Sequence, residues 1–276
     1  RGLHQLDQPA IVRYGAMMKN LVFFDFGRSM AQERPVFDII LETLPNTIIL
    51  SAVTLLIIYP TGIVVGSLQA IRHNTPVDTT LSIGSLLLFS MPGFWLALML
   101  QLLFGFYWTG WIDDQIAAGV ISAELGGFLT IPLSGMQDPM LELVGGTSTE
   151  IFIDRIKHLI LPGIAMGLAS AGSTARYMRS ALLETIRQDF IRTARAKGLH
   201  ERTVVVKHAM RNAMLPIVTL IGLSFPFLVS GAVLIETVFA WPGIGRLQYE
   251  AVINNDYYVA IVVFLISSAL VMLGNL

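Results

Sequence analysis

Bond-making chemistry needs a nucleophile beside a base, or a cluster of metal ligands. The candidates in this chain are few. The five histidines, His4, His73, His158, His200 and His208, all fall at the ends of apolar runs or between them. The stretch from Ser170 to Ala175 places serines inside an apolar run, but no intramembrane histidine base accompanies them, which disfavours a serine protease. There is no HExxH, no GxSxG and no pair of aspartates within a run. The absence of cysteine excludes a thiolate nucleophile, a disulfide framework and a cysteine metal site. No phosphate-binding glycine loop is present, so any ATP hydrolysis must come from another chain. What is left are roles that break no bond.

The elements that would position any such role are long and apolar. Hydrophobic residues make up 54% of the chain and charged ones 13%, against about 25% charged in a soluble domain. Mean hydropathy is +0.67. Five uncharged runs stand out: Thr43 to Ile71, Thr79 to Ile112, Leu159 to Ala175, Asn212 to Ile235 and Tyr257 to Leu276. Each can cross about 30 Å of hydrocarbon as a helix. None alternates as a membrane strand would. The expected fold is an all-α polytopic membrane protein.

Basic residues orient it. Between Arg72 and Arg155 there is no Arg or Lys, and the stretch from Asp113 to Asp154 carries seven acids. The segment from Arg176 to Arg211 holds nine of the 18 Arg and Lys and only three acids. Basic loops stay in the cytoplasm. Residues 1–42 are therefore expected outside, following a first span that precedes Arg1. The transmembrane domain is then 43–276. Its spans are expected at about 43–71, 79–107, 158–182, 213–236 and 257–276, joined by an external loop at 108–157 and a cytoplasmic loop at 183–212. That makes five spans here and six in a complete chain with both termini cytoplasmic. Pro60, Pro92 and Pro226 favour kinks. The pairs Gly62/Gly66 and Gly163/Gly167 permit close helix approach.

The basic loop has internal design. Leu182, Ile186, Phe190 and Ala194 recur every four residues as one apolar stripe. Gly198 is a natural left-handed stop, and a second helix is expected from near His200 toward Pro216. A solvated loop that only sets topology, a nucleic-acid patch, an anionic-lipid anchor and a docking element for a cytoplasmic partner all compete for this segment. The nucleic-acid reading lacks interleaved aromatics. A helix–glycine–helix design suits a rigid lever.

"RTARAKGL" (Arg192 to Leu199) followed by "HAMRNAMLPIVTLIG" (His208 to Gly222) resembles the cytoplasmic loop of inner-membrane permeases of binding-protein-dependent ABC importers. More narrowly, it resembles the dipeptide/oligopeptide/nickel branch. "ETVFAWPGIGRL" (Glu236 to Leu247), "NNDYYV" (Asn254 to Val259), "MPGFWLAL" (Met91 to Leu98), "FDFGRS" (Phe24 to Ser29) and "LDQP" (Leu6 to Pro9) extend the resemblance over nearly the whole chain. The general loop pattern has Glu-Ala-Ala before the glycine. Here Arg192-Thr193-Ala194 fill that slot, and Leu215-Pro216 lie 17 and 18 residues after Gly198. Both departures are usual for this branch.

The resemblance implies a type I ABC importer permease fold in a prokaryotic inner membrane. It implies four kinds of partner besides the bilayer: a homologous second permease, two cytoplasmic ABC ATPases that bind ATP and Mg, and an extracytoplasmic solute-binding protein. It also implies that Arg192, Thr193, Ala194, Arg195, Ala196, Lys197, Gly198 and Leu199 dock the ATPase. The chain itself would hold no cofactor and no metal, bind no nucleic acid, and help import peptides or similar solutes. Ser224, Pro226, Ser230 and Gly231 are small or polar residues that could line the pathway, or pack helices. Glu236, Trp241, Pro242, Gly243 and Gly245 are candidates for an external gate or binding-protein contact, or a headgroup-level turn anchored by Trp241. The alternative class is a stand-alone secondary transporter or channel, which usually carries ionisable groups near midplane; the runs lack them.

Overall fold

The computed structural model describes residues 9–23, 25–224 and 232–274. Among them the chain is helical, with one isolated antiparallel bridge between Arg28 and Pro35. Helix α1 spans Ala10–Val22, α2 Val36–Ile71 and α3 Pro76–Ser90. Helix α4 (Gly93–Leu102) runs through a π segment (Leu103–Trp108) into α5 (Thr109–Ala117). Short helices α6 (Ala123–Leu129) and α7 (Pro139–Val144) lead to α8 (Ser148–Ile186), the longest element. Then come α9 (Asp189–Ala196), α10 (Glu201–Thr203), a second π segment (Val204–Ala209) and α11 (Met210–Leu223). Helices α12 (Val233–Val238), α13 (Ile244–Ile253) and α14 (Tyr257–Gly274) follow.

Three helices among the described residues are long and apolar enough to cross a membrane: Val36–Ile71, Gly93–Ala117 and Glu201–Leu223. A shorter apolar helix covers Tyr257–Ala269. Helix α8 carries the run from Leu159 to Ala175, whose glycines, serines and threonine lower its hydropathy.

The helix bounds differ from the expected spans in instructive ways. The helix expected at 43–71 starts at Val36, straight after Pro35, and continues through Pro45 and Pro60, so Pro60 does not end it. The run expected as one helix over 79–107 is broken. Met91 is extended (φ −79°, ψ 131°) because Pro92 lacks an N–H and disfavours helical geometry in its predecessor. The helix expected at 158–182 begins ten residues earlier, at Ser148, where Thr147 and Glu150 form a reciprocal capping box. In the span expected at 213–236, α11 ends at Leu223, and Pro226 lies outside the described residues.

The centre of the fold is the α2–α8 contact. A Cβ at Gly62 would lie 2.5 Å from Thr174 Cβ, and one at Gly66 would lie 2.3 Å from the Ala175 carbonyl oxygen. From the other side, a Cβ at Gly167 would lie 2.6 Å from Ile57 Cγ2. Both glycine pairs therefore serve close packing. Helix α3 crosses α8 equally tightly, with Gly172 against the Ser85 carbonyl.

At one end of this pair the α2–α3 turn is clamped to α8. Arg179 donates to Asp78 through Nε (2.9 Å) and Nη2 (2.8 Å), and Asp78 also accepts from the Asn74 amide (3.1 Å) and the Ser82 hydroxyl (3.2 Å). The Arg179 guanidinium, foremost, holds the Asp78 carboxyl well below the usual carboxylate range against the effect of burial.

Candidate functional site

The basic loop leaves α8 through a sharp break. Arg187 ends the helix, Gln188 is extended (φ −70°, ψ 152°), and Asp189 opens α9. The stripe of Leu182, Ile186, Phe190 and Ala194 is therefore not one helix face. Leu182 and Ala194 are buried, Phe190 is exposed, and Ile191 takes its place inside. Ile191 and Ala194 enter an apolar cluster with Ile58 and Ala70 of α2, Met178 and Leu182 of α8, and Ala213 and Ile217 of α11. This short helix packs on the second π segment and shares its buried cluster with three long helices.

Its other face is free. Arg192, Thr193, Arg195, Ala196, Lys197, Gly198 and Leu199 are all exposed. Gly198 adopts φ +77°, its amide donating to the Arg195 carbonyl (2.9 Å) and the Leu199 amide to the Ala194 carbonyl (3.4 Å). This is the Schellman closure, which needs a left-handed residue at that point. Arg195 forks onto Glu201 (Nε 3.0 Å, Nη2 2.6 Å), joining α9 to α10 and holding the Glu201 carboxyl below its ordinary range. Arg192 pairs with Asp189 (3.3 Å). Lys197 has no acidic partner among the described residues. His200, a poor N-cap by type, accepts from the Arg202 amide through Nδ1 (3.2 Å).

The opposite end is a buried knot. Glu236 is 0% exposed; it accepts from the Thr47 hydroxyl (3.0 Å) and the Arg246 amide (2.9 Å). Thr47 in turn accepts from the Ile244 amide (2.7 Å). A Cβ at Gly243 would lie 2.5 Å from both Glu236 Oε2 and Thr47 Oγ1, and one at Gly245 would lie 2.7 Å from the Val233 nitrogen. The Trp241 indole donates to the Asn46 carbonyl (3.0 Å), and the Asn46 amide group donates back to the Pro242 carbonyl (2.9 Å). Glu236, Trp241, Gly243 and Gly245 are buried and Pro242 half-buried. This corrects one expectation: Trp241 is no interfacial anchor but core, in one apolar cluster with Leu50, Leu161 and Phe239. Asn46, Thr47 and Arg246, absent from the sequence expectation, complete the knot. The partners of Asn46 and Thr47 lie almost 200 residues away, and only the polar pair Asn46-Thr47 in an apolar helix hints at them, while Arg246 lies ten residues from Glu236.

Two further motifs meet at this end. The Asp256 carboxylate accepts from the Ser29 hydroxyl and the Ala31 amide (3.1 Å), so "FDFGRS" and "NNDYYV" are tied together.

Between the ends lies an open cleft of about 540 Å³ lined by residues of α2, α3, α8 and α11. Ser224 lines it. Its hydroxyl and that of Tyr59 lie 2.5 Å apart, and both reach the Leu220 carbonyl (2.8 Å). Ser170, Ser173, Thr174 and Tyr177 of α8 line it too, an unforeseen hydroxyl face. Pro226, Ser230 and Gly231 lie outside the described residues.

Comparison with known proteins adds the following. The family described as "Binding-protein-dependent transport system inner membrane component" matches residues 62–276. The oligopeptide transport system permease protein AppB of Bacillus subtilis (strain 168) is 36% identical over 98% of this chain and 78% of its own length. The di/tripeptide transport system permease protein DppB of Pseudomonas aeruginosa (strain UCBPP-PA14) is 36% identical over 99% of this chain and 79% of its own. The dipeptide transport system permease protein DppB of Escherichia coli (strain K12) is 35% identical over 98% and 78%. A crystal structure of an amino acid ABC transporter with histidines aligns with a TM-score of 0.55 at 10% identity, covering 87% of this chain and 90% of its own. That likeness concerns the fold alone, and it is the all-α permease fold expected from the sequence.

Proposed function

Since the chain belongs to the family of binding-protein-dependent transport system inner membrane components, we propose that it forms one half of a peptide translocation pathway in an ATP-driven importer. The other half is a homologous permease. Two cytoplasmic ATPase subunits bind ATP and Mg, and an extracytoplasmic binding protein delivers the solute. Relatives described as oligopeptide, di/tripeptide and dipeptide permeases support the substrate class. The nine Arg and Lys from Arg176 to Arg211 support a cytoplasmic α9 end, with both termini of the complete chain cytoplasmic.

The observation that carries the reading is α9. Its inner face, Ile191 and Ala194, packs on the second π segment and shares one apolar cluster with residues of α2, α8 and α11, while Arg192, Thr193 and the residues from Arg195 to Leu199 are exposed to seat on a partner. Closure of ATP-loaded subunits would move α9, and the shared cluster would pass that displacement to three helices at once. ATP thereby shifts the population between outward- and inward-open states. The knot around Glu236 holds the opposite end of the same bundle rigid. Family membership argues against a stand-alone secondary transporter or channel.

Purification of the native complex, followed by uptake in proteoliposomes, tests the proposal. Co-purification with an ATPase subunit and peptide uptake that stops on ATP depletion are expected. Uptake that survives ATP depletion with an ion gradient intact would overturn it.

A further inference from the structure

The cleft between α2, α3, α8 and α11 has an unusual wall. Ser170, Ser173, Thr174 and Tyr177 follow the spacing i, i+3, i+4, i+7, which places all four on one face of α8. Tyr59 of α2 and Ser224 of α11 face the same space. Six hydroxyls thus line one cleft, and its remaining lining is apolar, including Leu55, Ile58 and Leu220. No lining residue carries a formal charge. The one charged side chain on this stretch of α8, Arg176, stacks on the Phe89 ring at 4.3 Å to its centroid.

The hydroxyls differ in availability. Those of Tyr59 and Ser224 are engaged with each other and the Leu220 carbonyl, and that of Thr174 reaches the Ser170 carbonyl at 3.4 Å. Those of Ser170, Ser173 and Tyr177 have no hydrogen-bond partner among the described residues, and Ser173 is half-buried. A hydroxyl both donates and accepts. A row of them can therefore pair with the N–H and the C=O of a peptide backbone, whatever side chains that peptide carries. The wall itself carries no formal charge, with the Arg176 guanidinium held on the lining Phe89 ring, so its hydroxyls read the backbone and not side-chain charge. The volume falls in the range of small-ligand sites, about 300–1,000 Å³.

We propose that this hydroxyl face is a substrate subsite that recognises the backbone amides of a transiting di- or tripeptide and is blind to side-chain charge. The inference rests on the peptide-import reading above. Passage then needs only hydrogen bonds that exchange as the peptide moves, while discrimination is left to the delivering protein.

The test uses the complete importer in proteoliposomes with dialanine, glutamyl-alanine and lysyl-alanine. The triple variant S170A/S173A/Y177F should lower ATP-driven uptake of all three by about tenfold, the equivalent of one or two hydrogen bonds. Uptake within twofold of wild type, or a loss confined to one charge class, would overturn the subsite and leave the importer assignment standing. Wild-type complex that moves none of the three peptides would overturn both. The chain has no cysteine, so S173C provides a second measurement in this subunit that does not depend on the triple variant folding. Dialanine present during turnover should slow maleimide labelling of S173C severalfold, and an unchanged labelling rate would count against the subsite.

Discussion

Replacing Asp78 with asparagine probes the clamp that ties the α2–α3 turn to α8. The Asp78 side chain is 6% exposed and receives two guanidinium donors, while the Arg179 side chain is 29% exposed. Asparagine offers one carbonyl and one amino group. Whichever way it turns, one of Arg179's two donors meets another donor, and the guanidinium loses its counter-charge. Breaking a fully buried pair costs about 3–5 kcal/mol. Water can reach the exposed part of Arg179 and recover some of that, which leaves about 2 kcal/mol, or roughly 30-fold in the folded-to-unfolded ratio. The assay is reversible unfolding in mixed micelles for Asp78→Asn, Arg179→Gln and the double variant. The two singles should each lose about 2 kcal/mol and the double much less than their sum, with an interaction energy of about 1–2 kcal/mol. Additivity within about 0.5 kcal/mol would refute the clamp. The pH dependence has a definite sign. A carboxyl whose folded pKa is depressed contributes fully above its unfolded value and loses that contribution as pH falls through the folded value. The gap between wild type and Asp78→Asn should stay flat from pH 8 to about 5 and close only in stronger acid. Both proteins should carry His73→Gln for this measurement, because His73 Nδ1 lies 3.2 Å from both partners.

Other substitutions separate backbone, steric and surface effects. Gly198→Val meets no atom within 4 Å, so its penalty is the left-handed backbone itself, about 1–3 kcal/mol; ATP hydrolysis by the assembled complex should continue while peptide uptake falls severalfold, and normal coupled uptake would count against docking by α9. Gly243→Ala forces a methyl to 2.5 Å from Glu236 Oε2 and Thr47 Oγ1; it should cost about 3 kcal/mol or more and show as loss of folded protein in fluorescence-detected size exclusion, whereas wild-type recovery would mean the knot can relax. Glu201→Gln removes a pair whose side chains are 41% and 59% exposed; the unfolding free energy should change by under about 1 kcal/mol, and a larger change would show that the pair is structural.

Features set by neighbouring residues were legible in the sequence. Gly198 reads as a left-handed stop because a C-cap depends on local backbone alone, and the paired glycines read as contact points because four-residue spacing fixes a helix face. The apolar stripe through Phe190 failed for a local reason too. Counting every fourth residue passes straight over the break at Arg187–Gln188, and the new helix re-phases so that Ile191, not Phe190, points inward. The burial of Trp241 and Glu236 is illegible in the sequence for a different reason. Their partners, Asn46 and Thr47, sit on the first long helix, and no periodicity connects positions that far apart. A separation of 101 residues likewise hides the pairing of Asp78 with Arg179. The hydroxyl face of α8 was in plain view as a spacing, but without α2 and α11 around it there was no cleft for it to face.

The glycine contacts between α2 and α8 restrict what kind of motion the bundle can perform. At Gly66 the α2 backbone rests on the Ala175 carbonyl, while Gly62 and Gly167 seat the stiff, β-branched Thr174 and Ile57. If α2 slid by a single turn, about 5.4 Å, either Ala70 would replace Gly66 or Ile58 would replace Gly62, so one of the two close contacts would always be lost. The two helices must therefore travel as one pylon, and any opening of a route past them has to be a tilt of the whole. The flexure then belongs at the seams where the helical ladder is already interrupted, at Met91–Pro92 and at Arg187–Gln188.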